Sequence, residues 1–152
     1  MARTFSIPSN QIASFLGTAF LNAEKIVFVS PWVSDITVRF PESDQLAERE
    51  LQLSQAVRRF DAEVWFIVDP EQSPHNIDRP SAFLPRISDI AHIKNVENLH
   101  AKAVVTDRIL YQGSANLTYR GLNINTELCD IRENENGSVD EFLEEKLQIE
   151  LD

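Results

Sequence analysis

The sequence predicts an α/β domain in which a mixed β-sheet is flanked by helices on both faces. Short apolar runs rich in β-branched residues alternate with segments whose apolar residues recur at helical spacing, which is typical of such domains. Two runs joined by a tight turn at Asp107-Arg108 predict an antiparallel pair, so the sheet should not be purely parallel. The strands are expected at residues 25–30, 63–68, 99–106, 109–112 and 126–131.

Helices are predicted where apolar residues repeat every three or four positions. Pro8 and Ser9 are expected to open the first helix, whose apolar positions run to Phe20. Pro85 should interrupt a short helix in the middle of the chain. The remaining helices are expected at residues 42–60, 81–92, 116–122 and about 138–151.

The last of these helices has its own sequence signature. Ser138 and Glu141 match a capping box, and apolar residues follow at helical spacing as far as Leu151. The segment is acidic outside this apolar stripe, so the stripe should dock on the core of the chain or on a partner. The polar segment at residues 69–80, between the strand expected at 63–68 and the helix expected at 81–92, is expected to be a surface loop or a loop that binds a partner.

Length and composition are those of one globular domain covering residues 1–152. The chain has 43% hydrophobic and 25% charged residues, and it contains neither an apolar run long enough to span a membrane nor an evident signal peptide. A cytoplasmic location is therefore expected. Cys129 is the single cysteine, so no internal disulfide can form, and we expect it to be a buried strand residue.

The net charge of −10 at first argues against a nucleic-acid partner. Most of this charge, however, lies in residues 127–152, which carry ten acidic residues and only two basic ones, Arg132 and Lys146. The other 126 residues carry fourteen acidic and twelve basic residues and therefore net only −2. The acidity belongs mainly to the C-terminal segment and does not exclude a nucleic-acid substrate elsewhere.

A histidine and a lysine on one strand form the most informative pattern. His100 and Lys102 are two residues apart and would project from the same face of a strand, roughly 7 Å apart. Lysine supplies positive charge and histidine supplies a nucleophile or a proton, so the pair suits an anionic ligand. Gly113-Ser114 follows the next strand, where backbone N–H groups and a hydroxyl can hold phosphate oxygens, and Asn116 adds a neutral donor.

These residues resemble the signature of the phospholipase D superfamily, H-x-K-x-x-x-x-D followed by G-S-x-N. Five residues separate the aspartate from the glycine, where the family commonly has six, which implies a tighter hairpin turn. The matching residues are His100, Lys102, Asp107, Gly113, Ser114 and Asn116, with Glu127 as the downstream acid.

The resemblance implies a reaction and an assembly. Family members with one motif build their site from two chains, so a homodimer is expected in which one His100 attacks phosphorus and the other protonates the leaving oxygen. Glu127 would orient the nucleophile, and Lys102 and Asn116 would stabilise charge on the phosphate, with Ser114 as a further phosphate ligand. Asp107 and Gly113 would have structural roles. No metal or other cofactor is expected.

Three functional hypotheses follow from the sequence. The first is a phospholipase D-like nuclease, with DNA favoured over RNA, as in the small nucleases that accompany bacterial DNA-modification and defence systems. The second is a phospholipid hydrolase, which the lack of any membrane-binding segment disfavours. The third is a non-catalytic subunit that binds nucleic acid or a protein, with the acidic C-terminal helix as the surface for a protein partner.

Overall fold

A seven-stranded mixed sheet forms the centre of the molecule. The computed structural model describes residues 3–41, 49–69 and 83–151. The strand order in the sheet is β1-β9-β8-β7-β2-β5-β6, and β3 and β4 form a separate two-stranded pair. The strands are β1 (Thr4–Ile7), β2 (Lys25–Val29), β3 (Thr37–Arg39), β4 (Glu50–Gln52), β5 (Glu63–Val68), β6 (His92–Asn95), β7 (Ala103–Val105), β8 (Ile109–Gly113) and β9 (Cys129–Glu133).

Strand directions change in the middle of the sheet. β2, β5 and β6 are mutually parallel, whereas β7, β8, β9 and β1 each run antiparallel to the preceding neighbour in the sheet. Val29 at the end of β2 is paired with Ala103 at the start of β7. The ends of β2 and β8 and the starts of β7 and β9 therefore meet at one edge of the sheet, which we call the site edge.

Helices cover both faces of the sheet, as the sequence predicted. Side chains alternate along each strand, so Val104 and Tyr111 enter one apolar cluster while Val105 and Leu110 enter the other. The first cluster is covered by α1 (Ile12–Asn22), α2 (Leu53–Arg59) and α3 (Phe83–Ile87). The second is covered by α4 (Val139–Phe142), which continues as a π-helical turn over Leu143–Leu147.

The strand predictions were correct for the buried runs and incomplete elsewhere. Residues 63–68 form β5 as predicted, residues 25–30 contain β2, and residues 109–112 lie within β8. The prediction missed β1, β6 and the pair of β3 with β4. Exposed residues predominate in β1, and short strands with few buried residues carry little apolar periodicity, so tertiary pairing decided these elements.

Four further predicted elements differ from the structure. The expected strand 99–106 is reduced to Ala103–Val105, and the expected strand 126–131 is shifted to Cys129–Glu133. The helix expected over 116–122 is a π-helical turn over Arg120–Ile124. Of the helix expected over 81–92, residues 81–82 lie outside the described residues and Phe83–Ile87 is helical as α3, which contains Pro85.

The helix predicted over residues 42–60 is wrong in its central part. Residues 42–48 lie outside the described residues, Glu50–Gln52 is β4, and only Leu53–Arg59 is helical. The pairing of Val38 with Leu51 explains the difference, because a cross-strand partner that is distant in sequence outweighs helical spacing. Most of the predicted loop at 69–80 also lies outside the described residues, whereas Asp69 itself is buried.

The C-terminal helix docks on the chain's own core. Ser138 Oγ accepts a hydrogen bond from Glu141 N–H (3.1 Å), as the capping pattern predicted. Val139, Phe142 and Leu143 are buried in the second cluster. The helix is shorter than predicted, because helical structure ends at Leu147 and the next residue has a positive φ.

None of the helices within residues 3–41, 49–69 and 83–151 combines the length and the hydropathy that crossing a bilayer requires.

Phe142→Ala tests how much stability the docked helix contributes. The Phe142 ring is buried in the second cluster, so its truncation should lower the free energy of unfolding by about 3–5 kcal/mol. Glu144→Ala on the exposed side of the same segment is the matched control and should change it by less than about 0.5 kcal/mol. Urea unfolding followed by circular dichroism measures both, and equal small losses would show that the helix is not part of the cooperative core.

Candidate active site

The HxK segment lies at the site edge, immediately before β7. Asn98 adopts a left-handed conformation with φ of 61°, which asparagine tolerates, and this bends the chain into the segment. Lys102 Nζ donates a hydrogen bond to the carbonyl oxygen of His100 at 2.9 Å. His100 is exposed and Lys102 is half-buried. The two residues were expected within a strand; they precede it, although Lys102 still takes part in backbone pairing.

That pairing joins the two halves of the motif. The N–H of Gly113, the last residue of β8, donates to the carbonyl oxygen of Lys102 at 3.2 Å. A Cβ added at Gly113 would lie 2.2 Å from the carbonyl oxygen of Leu128, so only glycine allows β9 to approach this closely. The close packing of three backbone segments places the G-S-x-N turn beside the histidine and lysine.

Ser114 connects this turn to Glu127. Ser114 N–H donates to the Leu128 carbonyl oxygen (2.9 Å), and Leu128 N–H donates to Ser114 Oγ (2.9 Å). The hydroxyl in turn donates to Glu127 Oε1 at 2.8 Å. Asn125 Nδ2 donates to the other carboxylate oxygen at 3.4 Å. The glutamate is therefore held at the site edge by two neutral donors.

A buried tyrosine holds the backbone of the G-S-x-N turn from the core side. The hydroxyl of Tyr111 donates to the carbonyl oxygen of Ala115 (3.0 Å) and accepts from the N–H of the same residue (3.1 Å). Both residues are fully buried, and Cys129 Sγ lies 4.0 Å from the hydroxyl. Burial raises the pKa of Tyr111 well above its ordinary value, so the phenol stays neutral. Cys129 is a buried strand residue, as predicted.

The end of β2 holds the Asn116 side of the turn. Ser30 is fully buried; its hydroxyl donates to the Trp32 carbonyl oxygen (2.6 Å) and accepts from Leu117 N–H (3.1 Å). Asn116 Oδ1 lies 3.4 Å from the same hydroxyl. A Cβ at Gly121 would lie 2.2 Å from the Asn116 carbonyl oxygen, which explains the glycine there. These contacts hold Asn116 between β2 and the turn that follows it.

Asp107 lies apart from the other motif residues. It occupies the turn between β7 and β8, which is the opposite edge of the sheet, about 16 Å along the chain from Lys102. Its Oδ1 accepts a hydrogen bond from Val139 N–H at 2.8 Å, at the start of α4. In this position the carboxylate caps a helix and cannot contact a phosphate held at the site edge.

The structure thus brings six of the predicted residues to one edge and leaves one at the other. No hydrogen bond joins His100 to Glu127 in the part of a single chain that is described. Sequence reasoning missed the supporting role of Ser30 and Tyr111, as well as Asp69, which is buried at the end of β5. Ser30 followed by a proline marked the end of β2, but the sequence did not show what its hydroxyl contacts. The six residues are His100, Lys102, Gly113, Ser114, Asn116 and Glu127.

Within the described ranges, no group of three or more histidine, cysteine, aspartate or glutamate residues is placed to hold a metal ion.

Comparison with known families finds a match over most of the chain. The family model described as "Cardiolipin synthase, PLD-like domain" matches residues 37–148, which include the whole motif. A search by sequence finds no match among curated proteins.

Solved structures with a similar fold include proteins of comparable size. NucT from Helicobacter pylori has a TM-score of 0.56 and 16% identity, over 88% of this chain and 86% of NucT. Nuc from Salmonella typhimurium, a phospholipase D family member, has a TM-score of 0.55 and 16% identity, over 88% and 83% of the two chains. Phosphatidylserine synthase from Haemophilus influenzae has a TM-score of 0.63 and 11% identity, and the match spans 96% of this chain but only 37% of the synthase.

Tyr111→Phe tests whether the buried hydroxyl holds the turn. Removing it leaves the buried N–H and C=O of Ala115 without their partner, so the free energy of unfolding should fall by about 1–3 kcal/mol. Tyr119→Phe is the matched control, because that ring is 64% exposed, and it should cost less than about 0.5 kcal/mol.

The same variant should change the pH dependence of stability. The folded chain keeps the Tyr111 proton at a pH where the unfolded chain has lost it, since the unfolded pKa stays near ~10. Wild-type stability should therefore fall as pH rises above about 10, and Tyr111→Phe should lack that part of the fall. Urea midpoints at neutral and alkaline pH measure this, and identical slopes for the two proteins would contradict it.

Proposed function

The chain belongs to the phospholipase D superfamily, and from that premise we propose that it is a phosphodiesterase that cleaves nucleic acid at a site shared by two copies of the chain. The observation that carries the proposal is the backbone hydrogen bond between Gly113 and Lys102. It places the HxK residues and the G-S-x-N turn at one edge of the sheet, with Glu127 bonded to Ser114. Such an edge offers a nucleophile, a cation and neutral donors to one phosphate.

The proposed reaction has two steps. A ring nitrogen of one His100 attacks phosphorus and forms a P–N bond, while the P–O bond to the leaving group breaks and that oxygen takes a proton from His100 of the second copy. Water then attacks phosphorus and gives a proton to the second histidine as the P–N bond breaks. The products are a phosphate monoester and an alcohol, and the enzyme is regenerated.

The other site residues stabilise charge during both steps. Lys102 and Asn116 would donate hydrogen bonds to the non-bridging phosphate oxygens, where negative charge increases in the transition state. Glu127 would accept the ring N–H of a histidine and keep the other ring nitrogen available for attack. Since Glu127 bonds to Ser114 and Asn125 within one chain, the histidine that it orients is proposed to come into reach when two chains pair.

Exposure of the site in one chain supports the pairing. His100 is exposed, whereas a phosphoryl-transfer site works best when water is excluded. Three of the exposed large hydrophobic side chains lie between Asn116 and Leu128. Such side chains are costly to leave in water when they form a patch. These are Tyr119 (64% exposed), Ile124 (55%) and Leu128 (82%). A second copy that covers them would close the site and contribute the second His100.

Nucleic acid is the proposed substrate, with DNA favoured over RNA. The motif resembles that of small phospholipase D-like nucleases, and this chain spans 86% of NucT and 83% of Nuc, two proteins with a similar fold. A role in a bacterial DNA-modification or defence system, in the cytoplasm, is part of the same proposal. The alternative of phospholipid hydrolysis predicts cleavage of phospholipid vesicles, which a nuclease leaves intact.

Mixing experiments test the shared site. His100→Ala should abolish turnover, because the variant lacks both nucleophile and acid. When wild-type chains are exchanged with an excess of variant chains, only dimers with two wild-type chains should act, so activity should fall as the square of the wild-type fraction. The measurement is the rate of cleavage of a labelled single-stranded oligonucleotide after subunit exchange, at several wild-type fractions. A linear decrease would show that each chain works alone.

The matched control for this titration is Asp107→Asn. Asp107 lies at the opposite edge of the sheet, so mixing this variant with wild type should leave the activity per folded chain independent of the mixing ratio. A quadratic loss with the control would mean that exchange itself inactivates the enzyme.

Independence from metal ions is a separate prediction. The proposed chemistry uses two histidines and a lysine, so turnover should be unchanged in excess EDTA. The measurement is the initial rate on the oligonucleotide with chelator and with added Mg²⁺. Complete loss in EDTA that Mg²⁺ restores would refute the phosphohistidine mechanism.

A further inference from the structure

A groove lined by three cationic residues begins at the site edge. It has a volume of about 600 Å³ and lies between the strands β7, β8 and β9 and the C-terminal helix. Lys102 and Ser114 are among the residues at the end near the site, and Arg132 and Lys146 are among those that line the remainder. We call these four residues and the space between them the basic groove.

The charge of the groove is opposite to that of its surroundings. Residues 127–152 carry ten acidic residues, yet the only two basic ones of this segment, Arg132 and Lys146, both line the groove. One acid, Asp130, also lines it, and its Oδ1 accepts a hydrogen bond from Ser6 Oγ at 2.8 Å. The groove therefore holds three cations and one carboxylate within an otherwise acidic region.

Neither of the two cations beyond the site forms an ion pair within the described residues. Lys25, Arg39, Arg58 and Arg86 form the ion pairs of the described residues, and neither Arg132 nor Lys146 takes part in one. The Nε of Arg132 is buried and has no hydrogen-bond partner among the residues that the structure describes. The terminal nitrogens of Arg132 and Nζ of Lys146, rather than this buried Nε, are the donors that an anion in the groove would meet.

Strand register fixes the distance from the site. Ala103, Gln112 and Asp130 stand opposite one another on three neighbouring strands, a row of roughly 10 Å. Arg132 projects from the same face two residues further along β9, about 7 Å beyond the row. This offset places Arg132 away from the site edge, where a phosphate further along the same polynucleotide would lie.

We propose that the basic groove binds the sugar-phosphate backbone of the nucleic-acid substrate beyond the scissile bond, with Arg132 and Lys146 as its phosphate ligands. The proposal rests on the function proposed above and assigns the path of the substrate away from His100. Recognition through phosphates alone would be independent of base sequence. A phosphodiester with no flanking nucleotides cannot reach these two residues.

Charge-removing variants separate the groove from the chemistry. For Arg132→Gln and Lys146→Gln, we expect kcat/KM on a single-stranded oligonucleotide to fall about tenfold relative to kcat/KM on bis(p-nitrophenyl) phosphate, mainly through KM. The slope of log affinity against log salt should become less negative by about 0.7 for each variant. Arg108→Gln, in the turn at the opposite edge of the sheet, is the matched control and should change neither quantity.

Binding is measured separately with the His100→Ala protein and a fluorescent oligonucleotide, so that turnover does not interfere. Lys146 is exposed, so its variant remains informative if Arg132→Gln does not fold. Two results would overturn the proposed role of the groove. One is an equal loss of kcat/KM on both substrates, and the other is an oligonucleotide affinity and salt slope that stay unchanged in the Lys146 variant. If the wild-type protein cleaves neither substrate, the proposed function fails, whereas the binding experiment still decides whether the groove takes a polynucleotide.

Discussion

The hydrogen bond from Gly113 N–H to the Lys102 carbonyl oxygen holds the two halves of the motif together at one edge of the sheet. It extends the antiparallel pairing of β7 and β8 beyond the regular strands and holds the histidine-lysine segment against the turn that carries Ser114 and Asn116. The approach requires glycine at position 113, because any Cβ there would collide with the backbone before β9. Three segments of backbone thereby form one edge from which the functional side chains project.

Support for this edge comes from neutral hydrogen bonds in the core. Tyr111 holds both backbone groups of Ala115, and Ser30 holds Leu117 from the end of β2. A neutral buried hydroxyl costs much less to desolvate than a charge, so it can be placed directly beneath the proposed phosphate site. Of the cations themselves, Lys102 and Arg132 are half-buried and Lys146 is exposed.

The C-terminal segment combines two properties that the sequence leaves unconnected. Its apolar stripe covers the second face of the sheet, so the acidic side faces solvent, and its single lysine lies over the groove. Asp107 belongs to this arrangement as well. Although it stands within the motif, its carboxylate caps the start of the C-terminal helix and so connects the β7–β8 turn to the element that forms one wall of the groove.

The sequence alone determined the fold class, the two buried strands at residues 25–30 and 63–68, and the identity of the motif residues, because apolar periodicity and motif spacing are local properties of the chain. It did not determine β1, β6 or the pair of β3 with β4, since these elements depend on partners distant in sequence. Tertiary structure likewise decided three features of the site. It left His100 exposed, it separated Asp107 from the other motif residues, and it brought Arg132 and Lys146 to the same groove as Lys102. Each of these depends on which strands are neighbours and in what register, and no local pattern encodes that choice.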